Sequence, residues 1–163
     1  MLDNCAQRVG PMKPAELQER LNECAAALRE AGVRVTPQRL AIYEAVARAG
    51  GHPDVETVFG AVRRRLPTVS LDTVYRTLHL FAEVGLLGVV GQSGERTRFD
   101  TNTHPHHHFV CTCCGAMEDF EAGDYDALGL PPPAAGLGRV QSAHVELRGL
   151  CSRCAKTRGQ NCR

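Results

Sequence analysis

Two Cys-x-x-Cys pairs, Cys111/Cys114 and Cys151/Cys154, constrain this chain more than any other feature. Each tight pair can offer two thiolates to one tetrahedral ion, and four thiolates at about 2.3 Å suit zinc, which has no redox chemistry of its own. The competing reading is two reactive or disulfide-forming pairs. Compartment separates the two. No apolar run approaches the roughly 20 residues that a bilayer span requires, and the opening Met1-Leu2-Asp3-Asn4-Cys5 lacks the basic-then-apolar layout of a secretion signal. A cytoplasmic protein with no membrane segment is therefore expected, and there clustered thiols usually hold metal. Structural zinc on Cys111, Cys114, Cys151 and Cys154 follows. Cys5, Cys24, Cys113 and Cys162 remain outside this set; Cys24 reads as a small core residue, whereas Cys113 could compete with a neighbour as ligand.

With 163 residues, 43% hydrophobic and 23% charged, the chain suits one ordinary domain or two small ones and excludes a large α/β enzyme. Its net charge of +1 means that any surface for a polyanion is local.

Residues 1–13 read as a flexible arm. Pro14 then opens a helix with Leu17, Leu21 and Leu28 on one stripe, ended by Gly32. Thr36 caps a second helix, with Pro37 at its first position and Leu40, Tyr43, Val46 and Ala47 facing inward as far as Gly50-Gly51. After His52-Pro53, a third helix places Val55, Val58, Phe59, Val62 and Leu66 at helical spacing and ends on Arg63-Arg64-Arg65. Ser70 caps a fourth over residues 71–84, with Leu71, Val74, Leu78, Phe81 and Val84 buried and Asp72, Arg76 and His79 projecting outward beside Tyr75. Strands from Leu86 to Val90 and Arg96 to Asp100, joined by a turn over Gly91-Gln92-Ser93-Gly94, complete a winged helix-turn-helix spanning residues 14–100.

Residues 101–163 form a second, zinc-stabilised domain. His106 and His108 lie two apart on a strand entering the first cysteine pair, so they share a face that His107 does not. Met117 to Glu121 and Arg139 to Gly149 are further strands, and residues 129–138, rich in Gly and Pro, read as a loop. About 60 residues make a small core, which a zinc clasp would support.

The helix motif Val69-Ser70-Leu71-Asp72-Thr73-Val74-Tyr75-Arg76-Thr77-Leu78, the segment Thr36-Pro37-Gln38-Arg39, the run His106-His107-His108-Phe109-Val110-Cys111 and the paired Cys-x-x-Cys together resemble the ferric uptake regulator family of metal-dependent repressors. The likeness covers roughly residues 14–156. It implies an α+β homodimer: an N-terminal winged helix-turn-helix, a small zinc-stabilised α/β dimerisation domain, and a regulatory metal between them. In the peroxide-sensing branch that metal sits on three histidines and two aspartates, which by motif fall on His52, Asp100, His106, His108 and Asp119, a set suited to Fe2+ or Mn2+. Peroxide would then oxidise His52 or His106 through bound iron. The same likeness places Ser70, Thr73, Tyr75 and Arg76 on a palindromic double-stranded DNA operator. A second site on His104, His107 and His144 has Pro105 where a histidine would help.

Other readings lead elsewhere. An iron-responsive repressor would use the same five ligands without peroxide chemistry, and a nickel or zinc sensor ranks below it. A zinc-stabilised adaptor would bind protein instead of DNA. Catalysis is not expected, because the sequence has no His-Glu-x-x-His pattern and no evident nucleophile triad.

Overall fold

The computed structural model describes residues 12–91, 96–127, 129, 131–136, 138–140 and 143–157. They divide into two compact units that part between Thr103 and His104.

The N-terminal unit is built from α1 (Pro14–Glu30), α2 (Pro37–Ala49), α3 (Val55–Arg63), α4 (Leu71–Glu83), β1 (Gly88–Val90) and β2 (Arg98–Asp100). Side chains start three of the helices: Thr36, Asp54 and Ser70 accept the backbone N–H of Arg39, Thr57 and Thr73 respectively. Gly32 and Gly85, at φ of 70° and 76°, turn the chain out of α1 and α4 in the left-handed region that favours glycine. The apolar stripes meet in one core of Leu28, Ile42, Val46, Val58, Val74, Leu78, Phe81 and Phe99, with Tyr43 edge-on to Phe81 at 5.6 Å, whereas Leu71, expected in the buried stripe of α4, is exposed at the first turn of that helix.

Three elements are shorter than the sequence predicts, among them β2, which begins at Arg98 and not at Arg96. Helix α3 ends at Arg63, where the Arg65 N–H makes a tighter bond to the Val62 carbonyl three residues back and Pro67 disfavours helical geometry at Leu66. Strand β1 begins at Gly88, since the Leu86 N–H is spent on the Phe81 carbonyl at the end of α4. It pairs antiparallel with β2, Gly88 opposite Asp100 and Val90 opposite Arg98. The expected turn at 91–94 lies largely outside the described residues, as does most of the arm.

The C-terminal unit centres on β3 (His107–Cys111), flanked by antiparallel β4 (Met117–Phe120) and parallel β5 (Glu146–Gly149) in the order β4-β3-β5. Of the strand expected over 139–149, the described residues form Glu146–Gly149, which pairs with β3 from His108, opposite Glu146, to Cys111, opposite Gly149; residues 141–142 lie outside the described residues. The predicted loop at 129–138 contains one helical turn, α6 (Pro132–Ala135), opened by proline at its first position. Two further short helices, α5 (Gly123–Asp126) and α7 (Ser152–Lys156), complete the unit. Among the described residues, no helix is long and apolar enough to cross a membrane.

Candidate metal centres and reading helix

The sheet delivers Cys111 at the end of β3, and the turn after it, with Gly115 N–H on the Cys111 carbonyl and Gly115 at φ 69°, brings Cys114 back alongside. Cys151 precedes α7 and Cys154 lies within it. The four sulfurs all fall within 4.8 Å of one another, Cys114 and Cys151 at 3.8 Å. A tetrahedron with zinc–sulfur bonds of about 2.3 Å has edges of about 3.8 Å, so the donor set fits zinc in both chemistry and spacing.

Electrostatics favour the thiolate at Cys111 and oppose it at Cys154. Burial would push the Cys111 thiol up, but the backbone N–H groups of Cys114, Cys151 and Cys113 outweigh it and bring it to about 6. At Cys154 the hydrogen bond with Cys151 pulls down, yet burial and the thiols of Cys114 and Cys111 prevail and the net shift is upward. Four crowded sulfurs require a cation before all can ionise. Arg153, held more firmly protonated by its hydrogen bond to Cys114, supplies part of that charge. Cys113 is buried beside the group but is not one of its four members.

In the N-terminal unit His52 and Asp100 are both buried, at 7% and 3% exposure, with His52 Nε2 3.5 Å from Asp100 Oδ2. Three backbone contacts hold them: Phe99 N–H donates to the Pro53 carbonyl, Arg98 donates to the His52 carbonyl, and Asn102 N–H donates to Asp100 Oδ1 at 2.7 Å. Asn102 and Arg98 were not singled out by sequence, although an Asp-x-Asn turn at a strand end is a recognisable signal.

In the C-terminal unit His106, His108 and Asp119 converge. The His106 and His108 Nε2 atoms lie 2.8 Å apart, and Asp119 Oδ1 is 3.7 Å and 3.6 Å from them. His106 Nδ1 lies 2.7 Å from the His104 carbonyl, which can only accept; the tautomer with its hydrogen on Nδ1 satisfies that contact and turns the Nε2 lone pair toward His108. Two imidazole nitrogens at that distance need a proton or a metal ion between them.

His107 projects from the other face of β3, as the alternation predicts. Its Nδ1 accepts the Val145 N–H, its Nε2 faces Asp126 at 3.3 Å, and its ring packs near Phe120 and Tyr125. His144 instead approaches the His108 ring, at 5.9 Å.

On α4, Ser70 Oγ accepts the Thr73 N–H and lies 2.8 Å from Thr73 Oγ1, so both hydroxyls serve the cap. Tyr75 is half exposed, and Arg76 extends to solvent with Nε 2.9 Å from Asp72 Oδ2. His79 departs from the expected outward position: its ring is turned against Phe99, because β2 covers that flank of the helix.

The model of the ferric uptake regulator family matches residues 30–129. The peroxide-responsive repressor PerR of Staphylococcus epidermidis is 32% identical over 138 residues, covering 85% of this chain and 92% of that protein. The ferric uptake regulator Fur of Helicobacter pylori, whose structure reveals three functional metal-binding sites, superposes with a TM-score of 0.68 at 20% identity, over 88% of this chain and 97% of that one. That likeness is one of fold. A zinc uptake regulator complexed with zinc and DNA gives a TM-score of 0.62 at 25% identity, over 87% and 97%.

Proposed function

The chain belongs to the ferric uptake regulator family and is a metal-dependent transcriptional regulator, and from that premise we propose that it represses by gripping DNA while one Fe2+ or Mn2+ ion is bound and lets go when peroxide oxidises a ligand. The observation that carries this reading is the triad of His106, His108 and Asp119, drawn together around two facing Nε2 atoms. His52 and Asp100 form a matching pair in the other unit. Imidazole and carboxylate without thiolate favours Fe2+ or Mn2+, and we assign all five residues to one regulatory ion, with zinc confined to Cys111, Cys114, Cys151 and Cys154.

Ligands drawn from both units make the ion a fastener. It stabilises a DNA-competent arrangement only by the difference in its affinity for the competing arrangements. Bound Fe2+ would supply the electron that converts hydrogen peroxide into an oxidant beside His52 or His106. An oxidised imidazole donates poorly, so the grip is lost. The other roles follow from the fold: α4 enters the major groove, Tyr75 against a thymine methyl and Arg76 at a guanine edge or phosphate, with Ser70 and Thr73 fixing the start of the helix. A cytoplasmic homodimer would present two such helices to a palindromic double-stranded operator.

The test is peptide mass mapping after peroxide treatment of iron-loaded and manganese-loaded protein. One added oxygen on His52 or His106, in the iron form alone, is the expected result. Iron-controlled DNA binding with no oxidised histidine would make the chain an iron-responsive repressor. Failure to retain any duplex at low salt under any metal would favour a protein-binding adaptor.

A further inference from the structure

His79 follows Tyr75 by one turn of α4. The two ring centroids lie 4.3 Å apart with a tilt of 48°, and on its other side the His79 ring meets Phe99 nearly perpendicular, at 5.6 Å and 87°. The three side chains form one stack. Its outer member, Tyr75, is 48% exposed, and its inner member, Phe99, is fully buried. Phe99 is also where this unit's two candidate ligands meet: its N–H donates to the carbonyl of Pro53, which follows His52, and its own chain continues into Asp100.

The choice of imidazole in the middle of this stack is costly for the fold. His79 Nε2 is buried and has no hydrogen-bond partner among the described residues. A buried nitrogen left without a partner is unfavourable, and an apolar side chain would fill the same space without that penalty. Something other than packing favours a flat ring there. A flat ring braced edge-on from below offers a face on which a second ring can rest, whereas an exposed tyrosine on a bare helix samples several staggered positions.

We propose that His79 is a positioning residue for DNA reading: braced on Phe99, its ring holds Tyr75 in one attitude on the outer face of α4, so that the His52–Asp100 pair and the reading side chain share one support. The inference rests on α4 being the reading helix. Its claim is narrower than that: the ring at position 79 acts through Tyr75 and not through general stability.

The test uses the full-length, manganese-loaded protein and a duplex that the wild type selects from a random pool. His79→Leu keeps the volume but removes the flat ring, His79→Phe keeps the ring, and Tyr75→Ala is combined with His79→Leu in a double-mutant cycle. His79→Leu is expected to weaken the duplex by about 3- to 10-fold, the size of an aromatic pair contribution. His79→Phe should restore it, and in the Tyr75→Ala background His79→Leu should have no further effect. A loss of equal size in both backgrounds, or no loss at all, overturns the proposal. A DNA-free readout runs in parallel. The ring carbon resonance of Tyr75, identified by Tyr75→Phe, should shift in His79→Leu and return in His79→Phe; an unmoved resonance overturns the stack. Should the wild type select no duplex, the repressor reading fails, and the resonance alone still decides whether His79 positions Tyr75.

Discussion

Asp119 stands directly across the β3–β4 ladder from His108, with its Oδ1 3.6 Å from His108 Nε2. Strand register alone brings this about. Antiparallel pairing aligns His108 with Asp119 as it aligns Phe109 with Glu118, and a slip of one residue would send the carboxylate to the opposite face. His106 reaches the same point from just before the strand, so the three candidate ligands of this unit stand on or beside one two-stranded frame.

Removing that carboxylate tests whether the frame holds metal. Asp119→Ala is expected to weaken Mn2+ binding by at least about 10-fold, since even groups that only orient ligands cost 10- to 100-fold when lost. Isothermal titration calorimetry measures it. The circular dichroism of the stripped protein should not change, because Asp119 is partly exposed and its backbone pairing survives. An unaltered manganese affinity would remove Asp119 from the ligand set.

The sulfur cluster predicts a different response. A metal held there would join the end of β3 to the start of α7, in a unit built on a small three-stranded sheet with little buried apolar surface. Cys151→Ser should lower zinc content from one per chain and melt the C-terminal unit at lower temperature, leaving the helical N-terminal unit folded. Two transitions should therefore separate in a thermal melt where the wild type shows greater overlap. Full zinc retention in the variant would argue against a four-sulfur site.

Helix α4 was legible because three independent signals coincide there. Ser70 caps, Val74, Leu78 and Phe81 recur on one face, and Gly85 closes. The ends of α3 and β1 were not, since they depend on which carbonyl wins a given N–H: Val62 for Arg65, Phe81 for Leu86. The pairing of His52 with Asp100 joins residues far apart in sequence, and no local pattern encodes it; family resemblance supplied it instead. His79 shows the limit of helical periodicity. Its azimuth matches that of Arg76, but azimuth does not record that β2 covers one flank of the helix.

Arg76 tests the reading face. Its guanidinium is exposed and, among the described residues, is restrained by Asp72, one turn earlier on the same helix, so DNA can compete for it at little cost. Arg76→Ala should weaken operator binding by about 1–3 kcal/mol if it reads a guanine edge, or lower the salt dependence by about one ion if it contacts a phosphate. Zinc content and melting temperature should stay at wild-type values. Equal operator affinity in gel-shift titrations would reject α4 as the reading helix.

Glu44 gives the N-terminal unit an acid-sensitive joint. Its Oε1 accepts from Arg48 Nε at 2.8 Å and its Oε2 from Arg65 Nη1 at 2.7 Å, tying α2 to the turn after α3. Partial burial raises its pKa, but the hydrogen bonds to Arg65 and Arg48 lower it by more, so the folded value lies below the ordinary carboxylate value. A carboxylate depressed on folding contributes stability that is complete above its unfolded pKa and disappears as pH falls through the folded one. Both arginines are more than half exposed, which limits the contribution to about 1 kcal/mol. Glu44→Gln should therefore destabilise the unit by about that amount in urea titrations at pH 7. The gap between variant and wild type should narrow as pH drops below about 4.5 and close once the wild-type carboxyl is protonated. A difference constant from neutral to acid would show that the side chain acts through packing and not through its charge.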